Sequence, residues 1–222
     1  MEQNNDIKKI KVHSLMILDE SGSMQAIYNA ALTGANETIQ TIRAAGEEHP
    51  DQDHHFTFVT FNSINPGGKT VFNDIPIGEV RDLTTEDYRP NACTPLYDAM
   101  GNAITALEKK VKEGESVLVT IITDGYENAS REYSGAAVKA MVDRLRKKGW
   151  TFAYIGANQD SVEVARGLGI QNSLDFRADE MSTKEMWEIH RRASRIHYSR
   201  INVREKQESF EDFFKEDEKI KK

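Results

Sequence analysis

The sequence predicts an α/β fold built on a doubly wound, mostly parallel sheet. One edge strand is expected to be antiparallel, helices should cover both faces, and one more helix should follow at the C-terminus. Two observations predict this class. Segments with strand-like apolar runs alternate with segments of helical periodicity over residues 8–176, which is the pattern of parallel strands joined by crossover helices. In addition, residues 117–122 are almost uniformly apolar, as expected for a strand covered on both faces.

The first part of the chain predicts two strands, a long helix and a hairpin. Residues 11–18 are expected to form a strand, and apolar residues at helical spacing predict a helix over 24–45. Residues 55–61 alternate apolar and polar side chains, as a half-buried strand does. The Asn-Pro-Gly-Gly sequence at 65–68 predicts a turn into a returning strand at 69–72.

The rest of the chain predicts a long loop followed by further alternation. Residues 75–93 show little periodicity, and loops of this length are usually functional. The elements expected after the loop are a helix from Leu96 to Leu107, a strand at 117–122, a helix at 135–148, a strand at 151–155, a short helix at 161–167 and a weak strand at 172–176.

These elements divide the chain into an N-terminal tail at 1–7, a domain at 8–180, a C-terminal helix at 181–204 and a charged tail at 205–222. Apolar residues along the C-terminal helix predict that it packs on the domain. The tail carries three phenylalanines and is open to three interpretations: a frayed helix, a disordered tail or a docking segment.

The composition limits the partners and the compartment. The formal net charge of −7 argues against nucleic acid and anionic membranes as partners of the whole protein. Cys93 is the single cysteine, so no intrachain disulfide can form, and this favours a reducing compartment. The N-terminus lacks a signal-peptide pattern, and the apolar run at 15–18 is too short to span a bilayer. A cytoplasmic protein is expected; the oligomeric state is not predicted.

Hydroxyl and carboxylate side chains follow two strands and the long loop, near one edge of the predicted sheet. Asp19, Ser21 and Ser23 follow the first strand, Thr94 ends the loop, and Asp124 follows the strand at 117–122. The carboxyl ends of parallel strands meet at one edge, where ligands bind in open α/β sheets. Hard oxygen donors of this kind suit Mg²⁺ or Mn²⁺ better than zinc.

Each of these segments also has an ordinary structural interpretation. Ser23 is a good residue to cap the following helix. Thr94 before Pro95 has the pattern of a capped helix start. Asp124-Gly125 is a common turn dipeptide. The ordered combination of all five side chains is what favours a shared site.

The pattern Asp19-x-Ser21-x-Ser23, then Thr94, then Asp124, resembles the metal-ion-dependent adhesion site of von Willebrand factor A domains. The residues at 18–24, 94–99, 123–125 and 154–160 are similar to stand-alone bacterial members. The resemblance covers roughly residues 8–176 and implies that family's Rossmann-like architecture. One departure is Asn91-Ala92-Cys93, where many relatives carry glycines before the threonine. It either stiffens the loop, makes thiol modification affect binding, or leaves Cys93 as a tolerated loop residue.

The resemblance implies a bound Mg²⁺, with Mn²⁺ or Ca²⁺ as alternatives. It implies that Ser21, Ser23 and Thr94 contact the cation directly, while Asp19 and Asp124 act through water or orient the hydroxyls. Neutral donors leave much of the cation's charge uncompensated, so its open position attracts a Glu or Asp side chain of a partner protein.

Three functions remain open from the sequence. The leading one is a cation-dependent protein-binding module without catalytic residues. The alternative is a Mg²⁺-dependent hydrolase or phosphotransferase, but position 21 is Ser where one such family needs a second aspartate. Neither a phosphate loop with Lys nor a Gly-x-Ser-x-Gly elbow is present in the sequence. The third is a scaffold protein in which the metal only stabilises the fold.

Overall fold

The computed structural model describes residues 9–157, 160–201 and 209–215, and its centre is a six-stranded sheet. The strands are β1 Ile10–Asp19, β2 Gln52–Asn62, β3 Asn65–Pro76, β4 Ser116–Thr123, β5 Thr151–Ala157 and β6 Asn172–Phe176. They lie in the order β3-β2-β1-β4-β5-β6. Every neighbouring pair is parallel except β2 with β3. The predicted α/β class, with one antiparallel edge strand, is confirmed.

The described residues form five α-helices, which pack on the two faces of this sheet. They are α1 Tyr28–Glu48, α2 Leu96–Glu108, α3 Gly135–Arg146, α4 Ser161–Gly167 and α5 Glu180–Ser199. Val12 and Met16 of β1 face the core formed with α1 and α5. Leu15 and Ile17 face the core formed with α2, α3 and α4. Side chains alternate between the two faces of a strand, so β1 contributes to both cores. Among the described helices, none combines the length and apolar character needed to cross a membrane.

The hairpin turn lies earlier than the sequence predicts. The chain reverses at Ser63-Ile64, and Asn65 already pairs with Asn62. The Asn62 side-chain oxygen accepts hydrogen bonds from the backbone N–H groups of Ile64 (3.0 Å) and Asn65 (3.1 Å), which closes the turn. Gly68 instead lies inside β3 at φ 87°, in a region of irregular pairing with β2. The glycines therefore mark an irregularity within the strand rather than the turn.

Two further boundaries differ from the sequence prediction. The helix expected from residue 24 begins as a 3-10 turn over Gly22–Ile27, and only then continues as α1. The segment expected to be a loop from residue 75 starts inside β3 and forms a 3-10 turn at Ile77–Glu79. The irregular chain that follows is anchored on α1: the Asn36 amide accepts from Leu83 N–H (2.7 Å) and donates to Leu83 C=O (3.1 Å).

The C-terminal helix α5 packs on the domain, and it ends at Ser199 rather than near residue 204. Beyond it, Phe210 N–H donates to Thr151 Oγ1 (3.0 Å), and Phe213 N–H donates to Asn172 Oδ1 (3.0 Å). The Phe213 side chain is buried. Residues 209–215 are therefore a docking segment that contacts β5 and β6. The rest of the predicted tail at 205–222 and the tail at 1–7 lie outside the described residues.

The contact between α1 and α5 predicts that alanine substitutions at two glycines of α1 have opposite effects on stability. A Cβ on Gly34 would lie 2.1 Å from the buried Trp187 ring, whereas a Cβ on Gly46 would meet nothing closer than 3.8 Å. Gly34→Ala should lower the free energy of unfolding by about 2 kcal/mol, because the ring must move. Gly46→Ala should raise it by about 0.5–1 kcal/mol through helix propensity. Urea unfolding of both variants checks this; equal tolerance at the two positions would contradict the packing described.

Candidate functional site

The five predicted side chains come together at the carboxyl edge of the parallel strands. Asp19 is the last residue of β1, and Asp124 directly follows β4, which pairs with β1. Ser21 and Ser23 lie where β1 passes into the 3-10 turn. Thr94 lies at the end of the irregular segment that precedes α2.

Asp19 forms the base of the site. It is fully buried, and its Oδ1 accepts from the Ser21 backbone N–H (2.7 Å), while its Oδ2 accepts from Thr123 Oγ1 (2.6 Å). Tyr88 Oη donates to the Asp19 backbone carbonyl (2.9 Å). These hydrogen bonds fix the position of the Asp19 carboxylate.

The site also contains three hydroxyls, those of Ser21, Ser23 and Thr94. Ser21 Oγ and Ser23 Oγ are 3.2 Å apart, and Ser23 Oγ donates to Asp124 Oδ1 (2.6 Å). A Cβ on Gly125 would lie 3.4 Å from Thr94 Oγ1 and 3.9 Å from Ser23 Oγ, so these two hydroxyls border one small volume. Gly125 keeps that volume free of a side chain.

The two helix-cap interpretations are wrong. Ser23 lies inside the 3-10 turn and bonds to Asp124 instead of capping a helix. The residue at the start of α2 is Pro95, and no side-chain cap bond forms there. The Glu127 carboxylate and Ser130 Oγ accept from the first N–H groups of that helix, those of Tyr97 (3.0 Å) and Asp98 (3.1 Å).

The carboxylates of this site are buried, and no positive side chain among the described residues pairs with them. Burial raises the pKa of Asp19 to about 6, against the opposing hydrogen bonds from Thr123 and Ser21, and repulsion from Asp124 adds to the rise. Burial also raises the pKa of Asp124, against the hydrogen bond from Ser23. Neither carboxylate forms an ion pair with Lys, Arg or His within the described part of the chain. Uncompensated buried carboxylates are costly, and a bound cation would relieve that cost.

Asn128 holds Thr94 in place, and the sequence analysis missed it. Thr94 N–H donates to Asn128 Oδ1 (2.9 Å), and Asn128 N–H donates back to Thr94 C=O (3.1 Å). The Asp98 carboxylate in turn accepts from the backbone N–H groups of Arg131, Glu132 and Tyr133, each at 2.8 Å. The segment after β4 and the start of α2 thus fix each other. The polar run at 126–134 was the only local sign of this role.

Glu20 performs a similar function on the other side of the site. It is buried, its Oε2 accepts from Thr60 Oγ1 (2.8 Å), and its Oε1 accepts from the backbone N–H of Arg89. Its backbone carbonyl accepts from Asn91 N–H (2.8 Å). Glu20 therefore attaches the loop that carries Thr94 to strands β1 and β2.

Ala92, in the loop at 91–93, adopts a left-handed conformation with φ 65°. This conformation is unfavourable for a residue with a Cβ atom. In it, the Ala92 carbonyl accepts from Gly22 N–H (3.0 Å). The strained residue thus joins the loop at 91–93 directly to the turn that carries Ser21 and Ser23.

Comparisons with known proteins show the fold alone. No family model and no curated protein sequence matches the chain. Among solved structures, it is similar to the PilB minor pilin from Streptococcus sanguinis, with TM-score 0.55, 9% identity and coverage of 86% of this chain and 62% of the pilin. The pilus adhesin SpaC from Lactobacillus rhamnosus GG gives TM-score 0.62, 12% identity and coverage of 87% and 31%.

A third similar structure is proximal thread matrix protein 1 from the mussel byssus, with TM-score 0.53 and 18% identity over 81% of this chain and 45% of that protein. The chain therefore spans less than two thirds of each of these neighbours.

The predicted membership of the von Willebrand factor A family, with its metal-ion-dependent adhesion site, is corrected by these findings. The neighbours are described as a pilin, a pilus adhesin and a thread matrix protein, and no family model matches. Within the described residues, no group of three or more His, Cys, Asp or Glu could hold a metal ion. The candidate site does not form such a group because it combines two carboxylates with three neutral hydroxyls.

Proposed function

We propose that the chain is a divalent-cation-dependent protein-binding module, in which Mg²⁺ at the candidate site receives a carboxylate from a partner protein. The observation that carries the proposal is the pair of buried carboxylates, Asp19 and Asp124, which have no cationic partner within the described residues. The hydroxyls of Thr94 and Ser23 border one small volume, and Ser21 Oγ lies 3.2 Å from Ser23 Oγ. Carboxylate and hydroxyl oxygens are hard donors of the kind that Mg²⁺ prefers.

The side chains of the site lie at different depths and have different roles in the proposal. Asp19 lies deepest, with both oxygens already engaged, and it sets the position of the turn at Ser21. Ser23 is exposed and donates to the buried Asp124, so the site reaches solvent at Ser23. Asp19, Asp124 and the neighbouring hydroxyls would hold the cation, which would supply Lewis acidity toward an incoming ligand. A carboxylate is the side chain best suited to be that ligand, because it brings both charge and a hard oxygen.

The names of the structural neighbours favour binding over catalysis. Two of them are a minor pilin and a pilus adhesin, and none of the three has the name of an enzyme. The proposal that the chain is not an enzyme depends mainly on the site, whose two carboxylates accept hydrogen bonds from their own neighbours.

Removal of the cation should release the partner. The purified protein is immobilised and incubated in Mg²⁺ with an extract of the cells that naturally make it. A specific partner protein should remain bound after washing. EDTA should elute it, and excess Mg²⁺ should restore binding. Retention that is equal in Mg²⁺ and EDTA would contradict the proposal.

Two parallel measurements distinguish the alternatives. Mg²⁺-dependent turnover of p-nitrophenyl phosphate that is lost in Asp19→Asn would favour the hydrolase. A large rise in melting temperature with Mg²⁺, without capture of any partner, would favour the scaffold.

A further inference from the structure

The docking segment at 209–215 lies at the amino-terminal edge of the sheet, opposite the candidate site. The surface beneath it is formed by the first residues of β5 and β6 and by the C-terminal ends of α3 and α5. We call this surface the C-terminal groove; its contacts come from Arg146, Thr151, Asn172, His197 and Arg200. No residue within 209–215 belongs to a helix or strand, and Phe213 is the one buried side chain among these seven. The segment is therefore held as a bound peptide is, by one anchor and a few polar contacts.

Side chains of the groove bind the backbone of the segment at two positions that are three residues apart. Asn172 Nδ2 donates to Phe210 C=O (2.6 Å), and Asn172 Oδ1 accepts from Phe213 N–H (3.0 Å). Thr151 Oγ1 accepts from Phe210 N–H (3.0 Å). These hydrogen bonds reach backbone groups alone, so any segment with the same backbone conformation can form them.

The groove also contacts two aromatic rings of the segment. The Phe213 ring is buried, with its centroid 6.0 Å from that of His197. The Phe210 ring lies 4.8 Å from His197 in a T-shaped arrangement, and the Arg200 guanidinium lies 5.6 Å from its centroid. Aromatic side chains supply much of the binding energy of such contacts. The spacing of these two rings therefore favours aromatic residues at positions i and i+3 of an occupant.

Two arginines face the acidic residues between these rings. Arg146 pairs with Glu211, and Arg200 Nη1 lies 3.3 Å from Asp212 Oδ1. Both carboxylates are about half exposed, so the pairs contribute mainly to selectivity and little to affinity. The groove thus matches the pattern aromatic-acidic-acidic-aromatic.

The docking segment leaves polar atoms beneath it without partners. Both ring nitrogens of His197 and Nδ1 of His190 are buried and form no hydrogen bond within the described part of the chain. The centroid of the Phe213 ring lies 6.0 Å from that of His197 and 6.1 Å from that of His190, and phenylalanine has no group that can bond to either. Buried polar groups are usually paired. The segment therefore satisfies the apolar and charged features of the groove but not its buried nitrogens.

We propose that the C-terminal groove is a binding site for a separate protein that presents an aromatic-acidic-acidic-aromatic segment, and that residues 209–215 occupy it as a replaceable internal ligand. The partner's second aromatic residue carries a hydrogen-bonding group in place of the Phe213 ring. A second copy of this chain would bring the same segment and leave the same nitrogens unpaired, so exchange between copies gains no contact. This site is at the opposite edge of the sheet from the proposed cation site and does not depend on it.

Binding of a synthetic peptide to the full chain tests the proposal. A fluorescein-labelled peptide with the sequence of residues 209–215 is titrated with protein, and its anisotropy is measured. Glu211→Arg/Asp212→Arg should bind it roughly tenfold or more tightly than the wild type, because both new side chains face arginines and the internal competitor is weakened. Phe210→Ser, which removes a half-buried ring, is a second loosened variant. Lys215→Ala, at the exposed end of the segment, is the matched control and should bind like the wild type.

Changes in the groove and in the peptide test its specificity. Adding Asn172→Ala to the charge-reversal variant should weaken binding roughly tenfold, because two backbone groups of the peptide lose their partner. A peptide with Ser in place of Phe213 should not bind. Among peptides with Tyr, Trp or His at that position, at least one should bind more tightly than the peptide with Phe.

Three results would overturn the proposal. If both loosened variants are folded by circular dichroism and neither binds the peptide, the segment is a fixed part of the fold. If Phe gives the tightest binding at the anchor position, the chain's own segment is the best occupant and no separate partner is needed. If the wild type forms dimers in sedimentation velocity that disappear in Glu211→Arg/Asp212→Arg, the segment exchanges between copies and the occupant is a second copy.

Discussion

Replacement of Asp19 by Ala is expected to weaken Mg²⁺ binding a hundredfold or more and to abolish capture of the partner. Asp19 is fully buried, and its two oxygens hold Ser21 N–H and Thr123 Oγ1. Its loss removes one of two carboxylates and frees the turn that carries the serines. Groups that only orient metal ligands already contribute 10–100-fold to affinity. Calorimetric titration with MgCl₂ measures the loss.

The variant should still fold. Two hydrogen-bond donors lose their acceptor at a cost of about 1–3 kcal/mol, but the buried carboxylate and its desolvation penalty disappear as well. Circular dichroism and urea unfolding check this. Thr94→Ala should reduce affinity in the same direction, whereas Cys93→Ser is the matched control, because the exposed Cys93 side chain is not among the site's donors. Unchanged Mg²⁺ affinity in both Asp19→Ala and Thr94→Ala would rule out the site.

Acidification is expected to unfold the protein through three buried histidines. Burial lowers the pKa of His54 to about 4, of His190 to about 4 and of His197 to about 3, from an ordinary value of 6.5. Between pH 6.5 and about 4 the unfolded chain therefore binds protons that the folded chain does not. Each such histidine contributes stability that is present above pH 6.5 and is lost as the pH falls. The slope is up to about 1.4 kcal/mol per pH unit for each group.

The carboxylates of the candidate site act in the opposite sense. Because burial raises the pKa of Asp19 to about 6, the folded protein takes up a proton there before the unfolded chain does. Asp124 shifts in the same direction. The destabilisation from the three histidines exceeds the stabilisation from these two carboxylates. The free energy of unfolding should therefore still decrease as the pH is lowered. Below pH 4, Asp74 and Glu108, each with a pKa of about 2, add to the loss.

His197→Leu is the informative variant. His197 packs against the rings of Phe210 and Phe213, and neither ring nitrogen has a hydrogen-bond partner in the described structure. Leucine removes the titrating group without exposing a polar atom. The pH dependence of unfolding by urea should become shallower by about one proton between pH 6.5 and 4. A flat profile in the wild type, or an unchanged slope in the variant, would contradict the assignment.

The sequence was sufficient where the signal is local. Hydrophobic periodicity identified the strands and helices, because burial on one face repeats every 2.0 or 3.6 residues. The order of the predicted strands also placed Asp19, Ser21, Ser23, Thr94 and Asp124 near one edge of the sheet, because the carboxyl ends of parallel strands share an edge. The same five residues were not sufficient for a family assignment, since the structural neighbours are only 9–18% identical and share the fold alone.

Only the tertiary structure decided how the site is held and what surrounds it. Asn128 bonds to Thr94 across 34 residues, and Glu20 bonds to Thr60 across 40. The turn at Ser63-Ile64 was closed by the Asn62 side chain, although the glycines lay further on. Periodicity reports which face of an element is buried, but the partner of each polar group depends on which distant segments the sheet brings together.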